Sequence, residues 1–322
     1  MSLSKPLRLA LTALSRPDLH IQKTYKIVRS VTRVTHWPRL NPLYKPWDHK
    51  ISRAGHTVPV RIFTPDHTET PARLFLFFHG GGWVTGDIDS YSDVCVRLSN
   101  AMGAKVASVD YGLAPEHRFP EGLEDCYAAM QEALRVAGLL KMEVVLIGDS
   151  AGGNLAAACS LLARDRGGRQ ADAQILLYPS TYPDHNPNTT PFASVRENGR
   201  DNLLTARRVE EYIELYERTP EDRQNPYFAP LIAGDLRHQP PTLVVTAELD
   251  PLRDEGEAYA KRLSLAGNAA ECHRLPDALH GYLSAMPPAP GGAALVRRTY
   301  GLIRAFLARR SAADALDGEQ AL

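Results

Sequence analysis

Ser150 stands in a setting that could make it a nucleophile. In Gly148-Asp149-Ser150-Ala151-Gly152 its hydroxyl lies between glycines, directly after the apolar run at residues 144–147 and at the start of an alanine-rich helical pattern. A chain that passes from strand to helix this abruptly is crowded at the turn, so glycines fit at its flanks and the serine is left exposed. The helix that begins there aims its free N–H groups at any negative charge developing nearby. Upstream, His79-Gly80-Gly81-Gly82-Trp83 follows another apolar run at 74–78. Three glycines strip the side chains from a stretch of backbone, as acyl transfer requires if two N–H groups are to face a carbonyl oxygen that becomes an oxyanion. A phosphate-cradling loop is disfavoured, because no Gly-Lys-Ser/Thr follows and Asp87 would repel an anion.

A serine hydroxyl needs a base, and the base needs a carboxylate to orient it. In a strand–turn–helix arrangement of this kind the order is serine, acid, histidine, which leaves His185, His238, His273 and His280 as bases. His280 is selected: it precedes Gly281 in what reads as a loop, 276–281, beyond the last strand. His273 falls inside that strand, His185 in an insertion and His238 in a polar stretch before Pro240. His79 precedes the serine and is read as stiffening the glycine loop. For the acid, Asp250 follows a strand directly and precedes Pro251, ahead of Glu248, Asp277 and Asp254, the last read as a helix N-cap. Trp83, Tyr182, Phe192, Tyr212 and Tyr216 are candidates for lining a substrate pocket, and serve equally well as core aromatics.

The elements that must position these groups alternate in texture. Short β-branched and aromatic runs at 58–63, 73–78, 105–109, 144–147, 173–177, 242–246 and 271–274 read as strands, separated by helical spacing at 92–102, 122–136, 151–164, 254–266 and 294–309. This is an α/β arrangement built on a parallel sheet. Two segments break the rhythm: a basic one at 1–50, and an insertion at about 183–225 with a helical stretch at 205–217. Both are expected to cap the carboxyl edge of the strands, where open α/β sheets bind ligands. Residues 311–322 are expected to fray.

At 322 residues, 44% of them hydrophobic, the chain can build one large core domain. Its zero formal net charge gives no reason to expect nucleic acid as a partner. Charge is unevenly placed: residues 1–50 carry Lys5, Arg8, Arg16, Lys23, Lys26, Arg29, Arg33, Arg39, Lys45 and Lys50 against Asp18 and Asp48. A solvated face on a more acidic body explains this without a membrane. Cys95, Cys126, Cys159 and Cys272 lack metal-site or redox spacing and read as buried reduced thiols. With neither a secretory signal nor a spanning apolar run, the expectation is a cytoplasmic protein without stable membrane insertion.

The glycine loop, Tyr111-Gly112-Leu113-Ala114-Pro115-Glu116-His117, Gly148-Asp149-Ser150-Ala151-Gly152-Gly153 and Asp250-Pro251-Leu252-Arg253-Asp254-Glu255-Gly256, with the closing His280-Gly281, resemble the bacterial hormone-sensitive-lipase family of esterases over about residues 59–282. The resemblance implies an α/β-hydrolase fold: a mostly parallel eight-stranded sheet with helices on both faces, spanning residues 51–310, and a helical cap. It implies a carboxylesterase acting on small esters with short to medium acyl chains. Ser150, Asp250 and His280 would form the triad and the N–H groups of Gly81, Gly82 and Ala151 the oxyanion hole, with no cofactor and no metal. The family usually has arginine where this chain has Gly112, and often phenylalanine where it has Tyr282. Two alternatives stay open: hydrolysis of amides or formamides by the same triad, and a ligand-binding homologue without turnover, against which the presence of His280 argues. A homodimer is compatible with the sequence, which does not specify oligomeric state.

Overall fold

A computed structural model describes residues 20–35, 47–53, 55–68, 70–200, 202–284 and 291–320. Eight strands form one sheet: β1 (Trp47–Arg53), β2 (His56–Phe63), β3 (Arg73–Phe78), β4 (Lys105–Val109), β5 (Glu143–Asp149), β6 (Ala173–Leu177), β7 (Thr242–Leu249) and β8 (Ala270–Leu279). Their spatial order is β1-β2-β4-β3-β5-β6-β7-β8. β2 runs antiparallel to both neighbours, and every other pairing is parallel. Among the described residues the α-helices are α1 (Ile21–Thr35), α2 (Ile88–Met102), α3 (Glu121–Leu140), α4 (Ala151–Asp165), α5 (Ala193–Asn198), α6 (Ala206–Tyr216), α7 (Arg253–Leu265) and α8 (Gly292–Gln320).

The central strands are apolar without interruption because both faces of the sheet are covered. Alternation sorts their side chains: Leu74, Leu76 and Phe78 of β3 join the core under α3, α4 and α7, whereas Phe75 and Phe77 join the core under α2 and α8. In β5, Val144 and Leu146 divide from Val145 and Ile147 in the same way. The buried thiols Cys126 and Cys159 lie in the first core and Cys95 in the second. Cys272 departs from expectation, being exposed on the edge strand β8.

Several elements differ from the sequence reading. β1 was not expected, because a strand exposed at a sheet edge carries little of the apolar alternation that marks one: of Trp47–Arg53, Asp48, His49 and Lys50 are exposed. β8 continues to Leu279 through Pro276, in a stretch read as loop. Proline loses a ladder hydrogen bond, which an edge strand tolerates and a central strand does not. Helix α8 extends to Gln320, past the end expected for the last helix at residue 309. Much of the basic segment at 1–50 lies outside the described residues; within it, α1 follows the expected helical texture.

Candidate active site

The strand register brings the predicted residues together. β3 pairs Phe78 with Gly148 of β5, so the glycine loop and the serine turn leave the sheet side by side at its carboxyl edge. β7 pairs Leu249 with Leu279 of β8, and the next residue on each strand is Asp250 and His280. Neighbouring strands are about 5 Å apart, which sets the acid within reach of the imidazole. His280 Nδ1 lies 2.7 Å from Asp250 Oδ2 and its Nε2 lies 2.9 Å from Ser150 Oγ. Because an ionised carboxylate only accepts, Nδ1 carries the proton, leaving Nε2 to accept from the serine hydroxyl. Asp250 is fully buried, and its second oxygen accepts from Leu252 N at 2.9 Å, which fixes its orientation.

Ser150 is the N-cap residue of α4, yet its side chain makes no capping bond. An N-cap serine ordinarily spends its oxygen on the first turn; here the hydroxyl goes to His280. The serine itself holds the left-handed backbone, φ 55°, that an L-residue adopts at a cost. The flanking glycines are needed for space rather than for dihedral freedom. A Cβ on Gly152 would stand 1.9 Å from Phe78 O, and one on Gly148 2.2 Å from Gly152 O.

The glycine loop does need positive φ, at Gly81 (114°), Gly82 (62°) and Trp83 (60°). The turn closes with Val84 N and Thr85 N both donating to Gly81 O, at 3.1 and 2.9 Å. Asp149, the variable residue of the serine motif, ties this loop to the serine turn. Its Oδ1 accepts from Gly80 N at 2.9 Å, and its Oδ2 from the hydroxyls of Tyr91 and Tyr178 at 3.2 and 3.3 Å. Burial pushes its carboxyl up to about 6 despite these donors. Nothing in the sequence marks this role beyond adjacency to Ser150.

His79 is fully buried, donates from Nδ1 to Gly80 O at 2.8 Å and stacks on Tyr111 at 4.4 Å. Burial holds it below the ordinary histidine range, and its contacts are those of a loop support. The rival acids are engaged elsewhere: Glu248 accepts from Asp277 N at 2.7 Å, and Asp254 accepts from Ser194 N at 2.7 Å and pairs with Arg253. Asp254 is not the N-cap of α7, a position held by Leu252.

A cavity of about 240 Å³ opens on Ser150 and His280. Gly81, Gly82 and Ala151 line it, as do Trp83 and Tyr212 from the predicted aromatics. Tyr182, Phe192 and Tyr216 are not among its lining residues: Tyr182 and Phe192 pack edge to face at 5.1 Å, and Tyr216 stacks on Trp83 at 4.5 Å. The rest of the apolar lining is Leu203, Leu204, Val209 and Leu252.

The profile of the α/β-hydrolase fold matches residues 75–284. An arylesterase of Saccharolobus solfataricus is 39% identical over 247 residues, covering 76% of this chain and 78% of that protein. The chain belongs to the hormone-sensitive-lipase family of α/β-hydrolase esterases. A carboxylic ester hydrolase of Mycobacterium tuberculosis, LipN, is 38% identical over 272 residues, 81% of this chain and 70% of that one. A hyperthermophilic esterase from the archaeon Pyrobaculum calidifontis superposes with a TM-score of 0.82 at 34% identity, over 95% of this chain and 99% of the other. As an esterase of this family, the chain is a carboxylic ester hydrolase. The family's usual arginine after Tyr111 is replaced by Gly112, whose N–H donates to the buried Asp125 at 2.9 Å, while Arg53 and His56 reach the same carboxylate at 2.7 and 2.8 Å. Among the described residues, no helix is long and apolar enough to cross a membrane.

Proposed function

We propose that Ser150, His280 and Asp250 form the catalytic triad of this esterase and that the N–H groups of Gly81, Gly82 and Ala151 form its oxyanion hole. The chain of contacts from Asp250 through His280 to Ser150, 2.7 and then 2.9 Å, carries this reading. His280 takes the proton of Ser150 as Oγ attacks the ester carbonyl, while Asp250 stabilises the imidazolium that results. The oxyanion accepts from the bare backbone of the glycine loop and from the first turn of α4. His280 then returns the proton to the departing alcohol, leaving an acyl-enzyme, and activates the water that hydrolyses it.

The insertion at about 183–225 and the segment at 1–50 act as a cap over this site. Supporting this, Leu203, Leu204, Val209 and Tyr212 line the cavity, and α1 docks on α6, where Glu211 accepts from Ile21 N at 3.1 Å. The cavity is smaller than the roughly 300–1,000 Å³ of sites for drug-sized ligands, which favours short to medium acyl chains. Ser150→Ala should lower kcat on p-nitrophenyl butyrate by about 10⁴-fold or more without unfolding the protein. Retention of substantial turnover by that variant would refute the nucleophile assignment. A series from acetate to palmitate should peak at the short end, and the matching anilides should react far more slowly.

A further inference from the structure

The cavity holds a charge that the proposed reaction does not use. Arg208 lines it, half-buried, from the first turn of α6. Arg208 and Tyr212 are four residues apart on α6 and so share a face, and both line the cavity that contains Ser150, as does Leu204 just before the helix. The ring of Tyr212 covers Gly82 so closely that a Cβ there would lie 2.4 Å from Cγ. Arg208 therefore stands one helical turn from the tyrosine that covers the bare backbone beside the nucleophile.

Neighbouring arginines have obvious partners. Arg223 pairs with Glu210 and Glu217, Arg253 with Asp254 and Glu197, and Arg207 with Glu211. The Arg208 guanidinium has no carboxylate or carbonyl partner among the described residues, and its backbone N–H donates to Thr205 Oγ1. The position does nothing for the helix either, since a cation in the first turn opposes the macrodipole. The carboxylate nearest the nucleophile along the chain, Asp149, is already bonded to Gly80 and two tyrosines. A partly desolvated cation that no described carboxylate engages, lining a substrate cavity, is complementary to an anion brought by the ligand.

We infer that Arg208 is a specificity residue that selects esters carrying a second, anionic group, a carboxylate above all. This rests on the triad reading above. The carboxylate could belong to the acyl half, as in a monoester of a dicarboxylic acid, or to the alcohol half, as in an acylated hydroxy acid. Two substrate pairs separate these sources: p-nitrophenyl hemiglutarate against p-nitrophenyl hexanoate, and 4-acetoxybenzoate against phenyl acetate. For each pair the ratio of kcat/KM, anionic over neutral, is compared between the native enzyme and Arg208→Met, so that intrinsic reactivity cancels.

The ratio should fall about tenfold or more in one pair, chiefly through KM. Arg208→Lys should keep part of the preference, and Arg208→Glu should shift it towards a cationic choline ester. In the native enzyme the preference should weaken as salt rises, a measurement that needs no variant. Ratios unchanged by Arg208→Met in both pairs, or a native preference indifferent to salt, would overturn the inference. If neutral esters are hydrolysed in a Ser150-dependent way while the ratios ignore Arg208, only this inference fails. If neutral esters are not hydrolysed at all, the failure lies with the triad.

Discussion

At the scale of single residues, the division of labour between Asp250 and its neighbours depends on what each carboxylate already touches. Glu248 stands two positions away but is held by Asp277 N, on the other side of a strand end. Asp250 is fully buried with one oxygen on His280 and the other on Leu252 N, so it presents one acceptor in one orientation. Asparagine in its place would keep the shape but offer an N–H where the imidazole needs an acceptor, favouring the wrong tautomer. Asp250→Asn should therefore lower kcat by about 10⁴-fold with little change in KM, as steady-state kinetics on p-nitrophenyl butyrate would show. Near-native turnover in this variant would remove Asp250 from the mechanism. The three side chains were legible as candidates because each lies among turn-forming residues beyond an expected strand. Arg208 was not legible: its spacing from Tyr212 puts the two on one helix face, but nothing in it says which side of the helix faces the nucleophile.

At the scale of elements, two motifs far apart in sequence are joined through Asp149. Pairing of Phe78 with Gly148 sets the glycine loop beside the serine turn, and the bond from Gly80 N to Asp149 Oδ1 locks the two together. Asp149→Ala would leave this N–H and the hydroxyls of Tyr91 and Tyr178 buried without that acceptor, each such loss costing about 1–3 kcal/mol. Freed from this tie, Gly81 and Gly82 should drift, and displacements near 1 Å at reacting groups cost on the order of 10²-fold in rate. The expected result is a lower melting temperature together with a fall in kcat, read by circular dichroism and by kinetics on a neutral ester. A variant with lowered stability but native kcat would show that Asp149 supports the fold and not the loop. Strand positions in the sheet centre were readable from continuous apolar runs. The ends of β7 and β8 were not, because Glu248, Pro276 and Asp277 are residues that normally signal a strand has stopped, and here they sit at the edge where the site begins.

At the scale of the whole molecule, the segment between β6 and β7 is tied to α7 by a buried charge pair whose histidine the sequence offered only as a rejected candidate base. His185 Nε2 lies 2.6 Å from Glu255 Oε2, with both side chains fully buried. Glu255 also accepts from Thr181 N, and Glu210, itself paired with Arg223, faces the other side of the ring. Burial alone would lower the His185 pKa, but the carboxylate of Glu255, aided by Glu210 and Asp184, raises it above its ordinary value of 6.5. A histidine with a raised pKa in the folded state binds more protons there than when unfolded, so its contribution is complete below about pH 6.5. That stability is lost as pH climbs through the folded-state value. Asp149 titrates in the same sense, but between its ordinary 3.8 and about 6, below this window. Above pH 6.5 the apparent melting temperature of the native enzyme should thus decline, by at most about 1.4 kcal/mol of stability per pH unit for one proton. His185→Gln should be less stable at pH 6 and should show a flatter profile from pH 6.5 to 9, and Glu255→Gln should flatten it as well. Parallel profiles for the native enzyme and both variants would mean that the slope arises elsewhere and that this pair stays in one protonation state throughout.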